Sequence, residues 1–370
     1  MNGSHLVKIS RRRGTKYTFT IKRNITIVRG DSGTGKTTLF DMVADYMRTG
    51  EQSGVSLQCD CPCVALTDYD WRNQLSSVHD SIVFVDEGLK EIHSDEFAHH
   101  VLYSSNYFVL ISRADFPNLP YSVDEIYKIK TSGKYHSFVP VYQDRGNHRY
   151  AISRSAPKQD FSILLCEDSK SGFQFFERHF ADSELTCASA MTNSAILGWL
   201  DQHFDDRVFV VADGAAFGCY ADRVLKLQDI HRDTVTVCLP ESFEWLLLSS
   251  GVISGLDVKA VLETPEAFVN SEKFKSWEDF FYKYLRDKTG NSVFRYDKDC
   301  IPEAFCRGSN SAKVMALIAC RNVRGVTSCG ILKKLYLLQI GFSCLRFLNL
   351  RTSSSRAVAA SSAATSCTTW

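Results

Sequence analysis

The densest chemistry in the chain lies in Asn24 to Thr38, NITIVRGDSGTGKTT, where Gly30, Asp31, Ser32, Gly33, Thr34, Gly35, Lys36 and Thr37 fill a G-x-x-x-x-G-K-T pattern and Thr38 follows as a further candidate contact. The glycines free the backbone to turn successive N–H groups inward, where they can wrap a polyphosphate. Lys36 then reaches the β- and γ-phosphates and Thr37 offers a hydroxyl to Mg²⁺. A helix opening near Lys36 points the positive end of its dipole at the anion. Further on, SIVFVDEG carries Asp86 and Glu87 at the end of an apolar run. An acid at a buried strand tip can hold the Mg²⁺ shell, which suits Asp86, and its neighbour Glu87 can polarise an attacking water. After a third apolar run, Tyr107 to Ile111, the polar pair Ser112 and Arg113 is placed to sense a γ-phosphate, the competing reading of Arg113 being a plain surface charge.

These residues need elements to hold them. Ile25, Ile27 and Val28 predict a strand before the loop, and Leu39, Met42, Val43 and Met47 a helical stripe after it. His5 to Ile9 and Tyr17 to Ile21 predict two strands around the basic turn Arg11-Arg12-Arg13-Gly14, with Tyr17, Phe19 and Ile21 inward. Ser94-Asp95-Glu96 starts a helix carrying Phe97, Val101 and Leu102. VDEIYKIKTSGKYHSFVPVY reads as two strands around Ser132-Gly133. Cys59, Cys61 and Cys63 alternate with polar residues from Val55 onward, which predicts one strand with three small apolar thiols on one face. A zinc site is not expected, because paired zinc cysteines are spaced two or more residues apart.

The order of strand, loop, helix, Asp-Glu strand and polar-tipped strand resembles the core shared by ABC and AAA-type ATPases, with SIVFVDEG similar to their Walker B segment. The resemblance covers about residues 5 to 145 and implies ATP and Mg²⁺ as ligands. It comes without an LSGGQ-like signature, a long helical insertion or an arginine finger, so a monomeric or partner-activated ATPase is as open as a homo-oligomer with composite sites.

After a polar linker over 146–160, a second α/β unit is expected over 161–303. Strands from Phe161 to Cys166, Val208 to Ala212 and Thr234 to Leu239 alternate with helices, which implies a parallel sheet with ligands at the strands' carboxyl ends. Glu167 and Asp213 fall at two such tips, where a divalent cation could bridge them; the alternative is that Glu167 caps a helix and Asp213 shapes a turn. LLCEDSKSGFQFF and VVADGAAFG resemble a Toprim domain, which implies metal-dependent nucleic-acid chemistry on DNA or RNA. Asp213 stands alone where that family has two acids, and Asp168, Glu241 or Glu244 could compensate. An ATPase followed by Toprim is the domain order of the overcoming-lysogenization-defect nucleases of phage defence. Ser271 to Gly290 predicts an amphipathic helix with Phe274, Trp277, Phe281, Tyr284 and Leu285 packed on this unit.

The fold class expected is therefore α/β, a parallel-sheet nucleotide-binding domain followed by a smaller α/β domain. A net charge of +1 with 23% charged residues excludes a strongly basic nucleic-acid binder, so any such contact must be local. The beginning of the chain has no secretory pattern, and 13 cysteines at this length read as thiols of a cytoplasmic protein. From Ala304 to Trp370 there is no Asp or Glu, which predicts an atypical tail, disordered or out of frame, and alternatively a basic arm. KKLYLLQIGFSCLRFLNL within it is too interrupted by Gln339, Arg346 and Asn349 to predict a membrane span. The function expected is an Mg²⁺-dependent ATPase coupled to an effector domain. A nucleotide-dependent binding or signalling module is the alternative.

Overall fold

The computed structural model describes residues 1–142 and 161–322, save 13, 68, 69 and 204. Its first unit runs β1 (His5–Arg11), β2 (Lys16–Ile21), β3 (Ile25–Arg29), α1 (Lys36–Thr49), β4 (Val55–Gln58), β5 (Cys63–Leu66), α2 (Trp71–Ser77), β6 (Ile82–Asp86), α3 (Asp95–Leu102), β7 (Tyr107–Ile111), β8 (Ile126–Ser132) and β9 (Tyr135–Pro140). Strands made of contiguous Ile, Val, Phe and Leu are buried on both faces, as in β6 and β7, and pair in parallel. Alternating strands such as β2, where only Tyr17, Phe19 and Ile21 are buried, form the flank, where β2 runs antiparallel to β1 and parallel to β9.

The nine strands lie in the order β4-β1-β2-β9-β8-β3-β7-β6-β5. Two consequences follow. First, β7 separates β3 from β6, so the tip bearing Ser112 and Arg113 stands between the glycine-rich loop and Asp86. Second, β4 and β5 are opposite edges of the sheet, yet four residues, Cys59 to Pro62, connect them. Four linking residues span at most about 18 Å between the strand ends, whereas nine flat strands would be about 38 Å wide. The sheet therefore curls on itself, and α1 packs inside the trough against β1, β4, β5 and β6.

That curl corrects one expectation. The predicted single strand from Val55 to Cys63 is broken into β4 and β5, with Cys59 and Cys61 on the connection. Met47 also departs from the predicted stripe: it is exposed in the last turn of α1, where Ala44 and Tyr46 take the packing.

The second unit runs β10 (Ile163–Cys166), α4 (Ser171–His179), β11 (Thr186–Ser189), α5 (Ile196–Gln202), β12 (Val208–Val211), α6 (Gly218–Ile230), β13 (Val235–Cys238), α7 (Phe243–Ser249), α8 (Leu256–Glu263), α9 (Trp277–Thr289), α10 (Glu303–Cys306) and α11 (Gly308–Asn322). Its four strands are all parallel, in the order β11-β10-β12-β13. The predicted helix from Ser271 begins instead at Trp277, because the Ser276 hydroxyl accepts the Asp279 N–H and caps it there. Phe274 lies before the helix and still packs on the same core.

The tail expected from 304 gives way at its start. Phe305 of α10 and Val314, Met315 and Ile318 of α11 are buried in the core of the second unit. Their apolar spacing decides this, and a lack of acids is no obstacle to it. The linker over 146–160 and residues 323–370, with the apolar run around Gln339, Arg346 and Asn349, lie outside the described residues. Among the described residues no helix is long and apolar enough to cross a membrane.

Candidate functional sites

The glycine-rich loop leaves β3 at Gly30 and enters α1 at Lys36, with φ of 140°, 80° and 92° at Gly30, Gly33 and Gly35. Gly35 is required twice over, since its left-handed backbone disfavours a side chain and a Cβ would sit 2.7 Å from the Tyr17 hydroxyl. Tyr17 uses that closeness to donate a 2.8 Å hydrogen bond to the Gly35 carbonyl. The Lys36 ammonium is folded back into the loop, donating to the carbonyls of Gly30 at 2.5 Å and Asp31 at 2.8 Å. Those two bonds are what an entering anion would exchange for. Thr34 closes the loop on itself through Asp31 O at 3.0 Å, while Thr37 and Thr38 are exposed in the first turn of α1.

Arg113 donates to the Ser32 hydroxyl at 2.9 Å and stands 3.7 Å from Glu87 Oε1. Loop, Arg113 and Glu87 thus form one rim. Ser112 is buried and accepts the Ala114 N–H at 3.1 Å, so it shapes the turn that presents Arg113. At the tip of β6, burial raises the Asp86 carboxyl above its ordinary range, and the negative charges of Glu87 and Asp41 push it the same way. A cation beside it would relieve all three.

The second candidate site lies at the carboxyl ends of β10 and β12, the crevice where the chain sends β11 to one side and β12 to the other. Glu167, Asp168, Asp213, Glu244 and Lys298 line a small cleft of about 30 Å³ there. Glu167 Oε2 accepts the Asp213 N–H at 2.8 Å, and Asp213 Oδ1 accepts the Phe243 N–H at 2.9 Å. Glu167 thus holds the Asp213 turn and Asp213 holds the entry to α7, whereas the alternative had Glu167 capping the helix after it and Asp213 shaping its own turn; α4 has no side-chain cap. Glu244 Oε1 accepts the Tyr296 hydroxyl at 2.9 Å, and Lys298 donates to Glu278 at 2.6 Å. Glu244 Oε2 is buried with no hydrogen bond from the described residues.

Five carboxylates, counting Glu278, surround one ammonium here. Desolvation pushes Glu167 up to about 8, helped by the charge of Glu278, and raises Asp213 strongly, helped by Glu167. Such a cleft takes protons or a cation. Glu244 from the start of α7 lines the cleft with Glu167 and Asp213, and Asp168 lies on the same rim. Glu241 does not; it turns away to Arg23. Glu278 and Lys298 were not legible in the sequence, since each sits among ordinary surface-like residues and only the docking of α9 and the loop after it brings them in.

The two sites share one segment. Arg29, directly before Gly30, donates to Asp115 and to the Tyr121 hydroxyl. Tyr121 O accepts the Gly218 N–H at 2.9 Å, and Val123 N–H donates to Gly214 O at 3.0 Å, next to Asp213. Residues 115–123 therefore run from the foot of the glycine-rich loop to the turn that carries Asp213.

Comparison with protein-family models, curated proteins and solved structures returned no match.

Proposed function

We propose that the chain binds and hydrolyses ATP with Mg²⁺ at the glycine-rich loop, and that the nucleotide state sets the acidic cleft of the second unit. Lys36 and the loop amides hold the phosphates, Thr37 and Asp86 hold Mg²⁺, Glu87 orients water, and Arg113 reads the γ-phosphate by exchanging Ser32 and Glu87 for it. The observation that carries the coupling is the 115–123 segment, hydrogen-bonded to Arg29 at one end and to Gly214 and Gly218 at the other. In the second cleft, Glu167, Asp213 and Glu244 would hold a divalent cation for cleavage of DNA or RNA. The orphaned Glu244 oxygen fits that role.

Phosphate release by the purified chain, with and without DNA and RNA, tests the first part. Glu87→Gln should slow it by roughly 10²–10⁴-fold while leaving nucleotide binding intact. Mg²⁺- or Mn²⁺-dependent cleavage lost in Glu167→Ala tests the second. A second reading draws on Lys298, whose ammonium already lies among the acids. With Lys298 in the cation's place, the unit is a nucleotide-dependent binding module that does not cleave.

A further inference from the structure

The seam where the curled sheet closes holds a second kind of donor set. β1 pairs antiparallel with β4 through Lys8↔Gln58 and Ile9↔Leu57. Continuing that register beyond the strand sets Val7 opposite Cys59 and His5 opposite Cys61. His5, Val7 and Ile9 are the inward residues of β1, so the apolar row ends in an imidazole and two thiols.

The side chains converge as the register requires. His5 Nδ1 lies 2.9 Å from Asp60 Oδ1, and one ligand atom each from His5, Asp60 and Cys61 fall within 4.8 Å of one another. Cys59 Sγ is 3.6 Å from Cys61 Sγ and 3.5 Å from Asp60 Oδ1. Ligands around a tetrahedral zinc stand roughly 3.3–3.8 Å apart, given zinc bonds of about 2.0 Å to nitrogen or oxygen and 2.3 Å to sulfur.

His5 supplies an independent argument. Its Nε2 faces the Asn2 carbonyl at 3.2 Å, and a carbonyl only accepts, so Nε2 carries the proton. Nδ1 faces the Asp60 carboxylate at 2.9 Å, so a proton or a metal ion must stand between the two acceptors, and the Nε2–H bond to a backbone carbonyl is the outer contact that fixes a metal-binding imidazole.

We propose that His5, Asp60 and Cys61, with Cys59 beside the last two as fourth donor, form a Zn²⁺ site that ties β1 to the β4–β5 connection; the one-residue cysteine spacing that spoke against zinc in the sequence is offset by His5, which the β1–β4 register brings in from outside the run. Thiolates select a soft cation, and the imidazole and carboxylate select zinc over copper(I), whose preferred partners are sulfur alone. The site is separate from both candidate sites above, and its role is to hold the sheet closed.

Reduced, metal-depleted full-length protein titrated with Co²⁺ tests the proposal. One equivalent should give a thiolate-to-cobalt charge-transfer band and the intense visible bands of tetrahedral cobalt, both removed by Zn²⁺ and unaffected by excess Mg²⁺. Zn²⁺ should slow alkylation of Cys59 and Cys61 by roughly tenfold or more, read peptide by peptide. Cys59→Ser with Cys61→Ser should abolish the bands, and Asp60→Asn should weaken uptake while leaving the thiol band. The folded wild type showing no charge-transfer band overturns the proposal, whatever the variants do. So does zinc protection of other cysteines only, or a Cys59–Cys61 disulfide forming in place of metal uptake.

Discussion

Arg23 and Glu241, 218 residues apart, meet in a buried two-pronged ion pair with bonds of 2.6 and 2.9 Å, and the guanidinium carbon lies over the Trp277 ring, 3.5 Å from its centroid. Burial alone would lower the Arg23 pKa, but Glu241 and Glu125 outweigh it and keep the charge. One residue of the β2–β3 turn thus docks the second unit on the first. Removing a single partner strands the other charge, so Arg23→Met should cost about 3–5 kcal/mol in urea unfolding. A change within about 1 kcal/mol would mean that this pair is solvated, as exposed pairs are.

Glu125, 3.4 Å from the Arg23 Nε, makes that junction pH-sensitive. Burial pushes its carboxyl up to about 7, against the pull of Arg23. The folded state then holds a proton that the unfolded state releases near pH 4.5, so stability falls as pH rises from about 4.5 through 7. The full span is worth roughly 3 kcal/mol at most. Glu125→Gln should reduce the downward slope across that window by the share of one proton, buried acids such as Glu167 and Asp213 accounting for the rest, measured as urea midpoints at a series of pH values.

Gly218 is where the shared segment touches the second unit most closely. A Cβ there would lie 2.3 Å from the Tyr121 ring and 2.6 Å from its carbonyl, which leaves no room for a side chain. Gly218→Ala should displace residues 119–123 while leaving the glycine-rich loop intact. ATP hydrolysis is expected to persist, and any effect of nucleotide on the acidic cleft to vanish. Amide exchange at residues 212–218 with and without ATP reads this directly, and a nucleotide-dependent difference that survives the substitution would refute the route through Tyr121.

Lys298 separates the two readings of the acidic cleft. If its ammonium stands where a cation would bind, Lys298→Met should strengthen Mg²⁺ binding by about tenfold, one charge–charge contact at partial burial. If the metal binds beside it, affinity should be unchanged. Calorimetric titration with Mg²⁺ distinguishes these outcomes.

Arg113 bridges Ser32 and Glu87, so Arg113→Ala should cut hydrolysis by roughly 10–100-fold through lost stabilisation of the γ-phosphate. ADP affinity should hold while ATP affinity drops. Equal loss for both nucleotides would mark Arg113 as a prop for the loop alone.

Strands built of contiguous β-branched and aromatic residues, such as Ile82 to Asp86 and Tyr107 to Ile111, were legible because burial on both faces leaves no other composition. The placement of Glu167 and Asp213 at neighbouring strand tips was legible for a related reason, since alternating strands and helices fix which ends meet. β11 was missed because Thr186 to Ser189, TCAS, is a short edge strand with weak apolar content. Arg23, Glu125, Glu241, Glu278 and Lys298 were illegible in their roles. Each draws its meaning from a partner supplied by another part of the fold, and local pattern carries no trace of such docking.

The position of β3 between β7 and β8 bears on how the chain is made. Ile25 pairs with Phe108 and Ile27 with both Leu110 and Ile126, so the strand from which the glycine-rich loop hangs has no neighbour encoded near it. β2 likewise waits for β9, through Lys16↔Tyr135. β1–β2, β1–β4 and β5–β6 can pair early, but during synthesis from the N-terminal end the loop strand has no partner until residue 111, and keeps one open edge until residue 126, has left the ribosome. The first unit is therefore completed late, and in that interval its loop strand is an apolar edge open to mispairing.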